Sequence, residues 1–412
     1  MKGGDNIKTQ RVERHIIDKN HKAWKLFDEY CFKAKNIYNL ANYTQRQLFV
    51  RGSPILQYVE LSKELNKTEA FKDIGSNSAQ MTLRLLCKDW KSFLVSVKDY
   101  WKHPNKYLGK PKLPRYKKKN GRHIFIMTNM QTHLYDGYLY FAFIPLKGLN
   151  NLFKTNVKNK LLQTRIIPKG STYILEIVYE IEVQEPKEFN NRILGIDLGV
   201  DNLATCVNNV GVQPIIINGK VIKSINQYYN KKKAKLQSDL KKRHKKDWSN
   251  KLDKLQQDRD NKINYYLHNA SKSIVTYAEG LNITIIVIGL NKTWKQESGL
   301  FKSANQNFIS IPYDKLIKMI TYKCSNIGIK VITNNESYTS GCSFLDNEVI
   351  GKDTYNKSRR VVRGLFKSNT NKLINSDVNG AYNIIKKVFS EAFKVDEIEG
   401  VHLHPIRVSM TC

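Results

Sequence analysis

The sequence predicts a multidomain α+β protein: a small antiparallel β-barrel interrupted by a helical insert, followed by an α/β domain. Three observations predict it. Apolar residues recur every three or four positions from about 20 to 100, short alternating runs lie between 123 and 183, and strands alternate with helices from Arg192 onward.

The helical insert contains AWKLFDEYCFKAKNIYNLANYTQRQLF and SAQMTLRLLCKDWKSFLVSVKDYW, with a shorter helix between them. The piece before His15 supplies a further strand to the barrel. HPNKYLGKPKLPRYKKKNGRH, rich in proline, glycine and cations, reads as extended and exposed. HIFIMT, GYLYFAFI, LQTRIIP and TYILEIVYEIEV read as strands, and KGS between the last two predicts a hairpin. QEPKEFNNR reads as a linker. RILGIDLGV, NLATCVN and PIIING are three short strands, and a long basic helical stretch follows. ITIIVIG gives a fourth strand, GIKVITNN a fifth, and DVNGAYNIIKKVF the closing helix. Three antiparallel strands leading into two parallel ones, in sheet order 3-2-1-4-5, is the ribonuclease H arrangement.

Charge narrows the function. The 412 residues carry 69 Lys+Arg against 36 Asp+Glu, a formal +33. Self-repulsion on that scale calls for a polyanion, and nucleic acid is the expected partner. There is no apolar run of ~20 residues to span a membrane. MKGGDNIKTQRVERH lacks the apolar core of a signal peptide, so a cytoplasmic location is expected. Six scattered cysteines with no CxxC pair fit a reducing compartment and argue against disulfides or a cysteine-built zinc site.

Two acids stand out. Asp197 sits inside the apolar strand ILGIDLGV between Gly195 and Gly199, where a carboxylate is seldom fully buried unless paired or bound to metal. A turn aspartate before Gly199 is the plainer alternative. Asp377, in NSDVNGAYNII, opens the closing helix, where an acid is also stabilised by the helix dipole alone. Together, on elements that pack in this fold, they make two-thirds of a metal site.

The ordered series LPRYKKK (after a helix containing CKDWKSF), LGIDLGVDNLAT, NYYLHNASKSIV, SYTSGCS and NSDVNGAYNII resembles the TnpB (OrfB) family of insertion-sequence transposons. These are compact RuvC-type nucleases related to Fanzor proteins and type V CRISPR effectors, and the resemblance covers nearly the whole chain. It implies an OB-like wedge barrel at 1–15 and 106–186, a helical recognition insert at 16–105, and a RuvC nuclease domain at 187–412. Within that domain a degenerate target-nucleic-acid-binding insert is expected at about 338–374. It further implies a transposon-derived guide RNA, cleavage of matching double-stranded DNA beside a short motif, and a monomeric ribonucleoprotein.

The family's metal-binding acids are two aspartates and a glutamate. The aspartates carry over to Asp197 and Asp377, but the glutamate that usually ends the fourth strand is replaced by Gly289. Glu297, in TWKQESG, and Glu336, in ITNNESYTS, are the candidates for a relocated acid. Strands 1, 4 and 5 are parallel and share one edge, so Glu336, about 10 Å from strand 1 by strand spacing, emerges beside Asp197 and is preferred. Asp197, Glu336 and Asp377 would then hold two Mg²⁺ ions about 4 Å apart for phosphodiester hydrolysis, with Asp197 bridging them. The alternatives are a nuclease-inactive RNA-guided DNA-binding repressor and, less favoured, a strand-transferring transposase.

Family members often carry two CxxC pairs before the last aspartate, whereas this chain keeps Cys342 alone there, so no zinc is expected. Arg359, Arg360 and Arg363 remain in that insert, either to touch phosphates or as a solvated loop. Phosphate contact is also expected from Lys231, Lys232, Lys233, Lys241, Lys242 and Arg243 in the basic helical stretch. Arg115, Tyr116, Lys117, Lys118 and Lys119 read as a basic entry with a stacking ring, and Trp294, Lys295 and Gln296 as contacts to single-stranded DNA.

Overall fold

The computed structural model describes residues 8–290, 311–362, 364–393, 402–408 and 410. They form two units, one from Lys8 to Glu182 and one from Val183 onward. No helix among the described residues is long and apolar enough to cross a membrane.

The first unit runs β1 (Lys8–Ile17), α1 (Trp24–Val50), α2 (Tyr58–Leu65), α3 (Glu69–Lys72), α4 (Ser76–Lys102), β2 (Phe125–Thr128), β3 (Thr132–Tyr135), β4 (Tyr138–Phe141), β5 (Leu161–Lys169) and β6 (Thr172–Glu182). The N-terminal strand is real: β1 pairs along the length of β6, from Lys8 opposite Glu182 to Ile17 opposite Tyr173. The turn between β5 and β6 is the expected hairpin, with Gly170 at φ +59°. Strand order is β1-β6-β5-β2, all antiparallel. No described ladder joins β1 to β2, so the described strands form a four-stranded sheet without closing the expected OB-like barrel. The four-residue β2 gives way instead to a separate β3–β4 hairpin, turned by Asp136 and Gly137, both at positive φ. β3 was not expected from alternation, although a DG pair between apolar runs is a hairpin signal.

Apolar residues spaced three or four apart on α1 (Phe27, Cys31, Ala34, Tyr38, Ala41) meet Leu83, Leu86 and Trp90 of α4 and the inner face of the sheet. Trp90 is fully buried, and its indole N–H donates to Asn42 Oδ1 at 3.0 Å. The segment read as extended and exposed is largely exposed, and it is also strapped along α1. Asn39 donates to the Lys117 carbonyl (3.0 Å) and accepts from its N–H (2.8 Å), Arg46 donates to the Pro114 carbonyl, and Lys35 to the Lys119 carbonyl.

His123 ends that strap. Its Nε2 is shut off from solvent, and burial, with the nearby Lys117 charge, pushes the imidazole down to about 4. A histidine depressed in the fold destabilises only where the unfolded chain takes up its proton. Stability should therefore be intact above pH 6.5 and fall as pH drops towards 4, by no more than about 3 kcal/mol. Urea unfolding of wild type and His123→Phe over that range checks this. Equal pH slopes for the two proteins would remove His123 as the cause.

The second unit runs β7 (Ile193–Asp197), β8 (Asn202–Asn208), β9 (Ile215–Asn218), α5 (Lys220–His244), α6 (Asn250–Gly280), β10 (Ile285–Gly289), α7 (Tyr313–Ser325), β11 (Lys330–Asn334), β12 (Arg360–Val362), β13 (Leu365–Lys367), β14 (Leu373–Asn375), α8 (Ser376–Val388) and β15 (Ile406–Val408). The main sheet has the order β11-β10-β7-β8-β9-β15. β7, β10 and β11 are mutually parallel, and β8 is antiparallel to both neighbours. The five central strands thus follow the order read from the sequence, and β15, parallel to β9, extends it. Alternation sorts the core into two layers. Leu194, Ile196, Ile286 and Ile288 face α6 and α7, while Ile193 and Val287 face Val378, Ala381 and Ile385 of α8.

Candidate functional site

The same alternation aims Asp197 at α8, because it shares the face of Ile193 and Gly195. The helix comes very close here. A Cβ at Gly195 would stand 2.7 Å from the Ala381 carbonyl oxygen, and one at Gly380 would stand 3.0 Å from Asp197 Oδ2. The two glycines therefore let helix and carboxylate share one space.

Asp377 stands in the first turn of α8. Asn375 caps the helix, its Oδ1 accepting from the N–H groups of Asp377 (3.0 Å) and Val378 (3.2 Å). One Asp377 oxygen accepts from Asn202 Nδ2 at 2.6 Å. Glu336 lies two residues past β11, in a turn where its carbonyl accepts from the N–H (3.2 Å) and hydroxyl (2.7 Å) of Thr339. Its Oε2 is 3.1 Å from where a Cβ on Gly289 would be. Glu336 thus occupies the room that a side chain at the tip of β10 would fill.

Asp197 is partly buried, and its carboxyl is held well above the usual range. Loss of water is the main cause, followed by the charges of Glu336 and Asp377, while Arg360 and the Leu198 N–H act the other way. Tyr313, at the start of α7, is 2% exposed. Its hydroxyl is raised by burial and then by the charges of Asp197 and Glu336.

The three predicted acids therefore gather at one end of the sheet, but the predicted ligand shell is not closed. Among the described residues no three His, Cys, Asp or Glu side chains stand together closely enough, as placed, to hold a metal ion. Asp377 is turned onto Asn202 instead. Donor chemistry nonetheless fits a hard divalent cation: the set is all carboxylate, and one member is desolvated beside two like charges, a state that a cation relieves.

Sequence reasoning missed several supporting residues. Asn379 and Asn383, both fully buried one helical turn apart on α8, hold the turn after Glu336. Asn379 donates to the Cys342 carbonyl and accepts from the Phe344 N–H, and Asn383 donates to the carbonyls of Thr339 and Cys342. The i, i+4 spacing of asparagines in DVNGAYNII was the available signal. Asn202, beside Asp201 in GVDNLAT, was another. Asn202→Ala should weaken divalent-cation affinity about 10–100-fold, the usual cost of losing a partner that orients a ligand. Calorimetric titration with Mg²⁺ checks this, and wild-type affinity would mean the helix cap alone orients Asp377.

Where a degenerate insert was expected at about 338–374, the later part forms a small three-stranded sheet, β12-β13-β14. Cys342 is buried, its Sγ 3.3 Å from Thr354 Oγ1. Glu348 ties the insert together, accepting from Arg359 Nη1, the Ser343 N–H and Asn369 Nδ2. Arg359 is thereby committed to an internal ion pair of 2.7 Å with both side chains largely buried, which counts against its expected role on phosphate. Arg360 is exposed near Asp197. Arg363, Glu297, Trp294, Lys295 and Gln296 lie outside the described residues.

Of the other basic residues, Lys231, Lys232, Lys241, Lys242 and Arg243 are exposed on α5, while Lys233 is partly covered. Arg115, Tyr116, Lys118 and Lys119 are exposed on the strap, and Lys117 leans over the Tyr38 ring at 4.6 Å. One face of Tyr116 is already taken by Arg46, 4.7 Å from its centroid.

Parts of the chain match known families. Residues 176–295 match the OrfB_IS605 family, described as "Probable transposase". Residues 313–384 match the Cas12f1-like TNB domain. The chain is 31% identical over 232 residues to the CRISPR-associated endodeoxyribonuclease Cas12f2 of a Micrarchaeota archaeon (strain CG1_02_47_40), spanning 53% of this chain and 40% of that protein. It is 26% identical over 217 residues to the TnpB-like protein ORF457 of Acidianus two-tailed virus, spanning 50% of this chain and 44% of that one. Both matches therefore span less than half of the relative's length. A solved Cas12f1–sgRNA–target DNA complex superimposes with a TM-score of 0.56 at 13% identity, over 88% of this chain and 82% of the other. The two family matches and the two curated relatives make this chain similar to TnpB proteins and type V effectors.

Proposed function

We propose that this chain is an RNA-guided DNA endonuclease of an insertion-sequence transposon. It would bind a transposon-derived guide RNA and cut matching double-stranded DNA beside a short motif. The carrying observation is the convergence of Asp197, Glu336 and Asp377 at one sheet edge, with Gly289 making room for Glu336. The ribonuclease H strand order supports a RuvC-type nuclease domain at 187–412, and the antiparallel sheet with its helices supports a wedge at 1–15 and 106–186 around a recognition insert at 16–105.

Asp197, Glu336 and Asp377 would hold the divalent cations. When bound, two magnesium ions supply Lewis-acid stabilisation and an activated water. The protein's own part is orientation and exclusion. Asn202 fixes Asp377, the Thr339 turn fixes Glu336, and α8 packed over Gly195 keeps water from the inner side of Asp197. The basic face of α5 supports binding of a nucleic-acid backbone, whose sequence would be read by base pairing to the guide.

The test reconstitutes the chain with RNA from the transposon end, Mg²⁺ and a matched target, and compares wild type with Glu336→Ala and Glu297→Ala. Guided cutting lost only in Glu336→Ala supports the assignment. Loss only in Glu297→Ala would move the third acid, and guided binding with no cutting by wild type would favour a repressor.

A further inference from the structure

The facing sides of α5 and α6 enclose a site that this mechanism does not use. Ser224, Tyr228 and Tyr229 of α5 and Asp258, Arg259 and Lys262 of α6 line a cavity of about 350 Å³. The two tyrosines differ in kind. Tyr229 is 9% exposed, Arg259 lies 5.1 Å from its ring, and its hydroxyl donates to Gln256. Arg259 is itself fixed by Asn226 Oδ1 at 2.7 Å and Asp260 at 3.2 Å. Tyr229 and Arg259 are thus a built wall. Tyr228 is 58% exposed, leaving a ring face open with the Lys232 ammonium 5.7 Å from its centroid.

Phosphate alone does not account for this lining. An exposed carboxylate, Asp258, lines the cavity beside Arg259 and Lys262 and would repel an anion. A carboxylate there does suit the N–H edge of a base, and an open aromatic face suits stacking. Exposed Lys232 and Lys262 supply the charge for the flanking phosphates. We propose that this cleft takes one unpaired nucleobase, stacked on Tyr228 with its amino edge on Asp258. A base within a duplex hides both its face and its pairing edge, so the cleft selects single strands. This rests on the reading that the chain binds nucleic acid.

The test measures affinity of the full chain for single-stranded RNA, single-stranded DNA and a blunt duplex, in wild type, Tyr228→Ala and Tyr228→Trp. Tyr228→Ala should weaken single-strand binding about tenfold and spare the duplex, and Tyr228→Trp should restore it. The RNA and DNA arms show which strand the cleft prefers. Asp258→Ala should weaken strands of adenine, cytosine or guanine but not of uracil, which has no exocyclic amino group. Unchanged single-strand affinity in Tyr228→Ala, or an equal loss on duplex, overturns the stacking site. Uniform tightening in Asp258→Ala overturns the edge contact. If wild type binds none of the three, nucleic-acid binding itself fails, which is a separate result.

Discussion

Asp197→Ala is expected to abolish guided DNA cutting, by roughly 10³-fold or more, while leaving target binding unchanged. Asp197 is the acid that the other two surround, so its loss leaves Glu336 and Asp377 without a common neighbour. The same crowding predicts an opposite effect on stability. A desolvated carboxylate beside two like charges disfavours the fold, so Asp197→Asn should raise the melting temperature in chelator-treated protein by a few degrees. Added Mg²⁺ should stabilise wild type and not the variant. Calorimetry with and without chelator reads both. A variant that melts lower than wild type in chelator would mean that Asp197 is held by favourable contacts and not by crowding.

Gly289→Glu should abolish the proposed cutting, although it restores a carboxylate where the resemblance to TnpB proteins places one. The new Cβ would meet Ile384 Cδ1 at 2.5 Å and Glu336 Oε2 at 3.1 Å. Overpacking of that kind costs about 1–3 kcal/mol, with a second negative charge added to the crowd. For the same steric reason Gly289→Glu should not rescue Glu336→Ala unless Ile384 is also trimmed to alanine. Cutting rates for the single, double and triple variants decide it. Full activity in the single variant would show that the space beside Gly289 is not filled by Glu336.

The sheet was legible because strands 1 to 5 carry dense apolar runs broken by turn residues, and parallel strands allow few orders. Glu336 was legible for the same reason, since strand order fixes which ends share an edge. What stayed hidden depends on side chains meeting across distant segments. Nothing local in Asn39 or Arg46 says that they will bind the backbone at 114–117. Nor does Glu348 announce that it will take up Arg359 and leave that cation unavailable. β15 was missed because a three-residue edge strand has no period to read. What the sequence does not carry is side-chain direction: proximity of the acids follows from topology, but their rotamers follow from neighbours such as Asn202.

The turn that carries Glu336 belongs to no ladder and is fastened to the closing helix by the amides of Asn379 and Asn383. Shortening the protein therefore has a floor. The stretch from 345 to 374 can be rebuilt or pruned only if 336–344 keeps its carbonyls within reach of those amides, since otherwise Glu336 drifts even with every candidate acid intact.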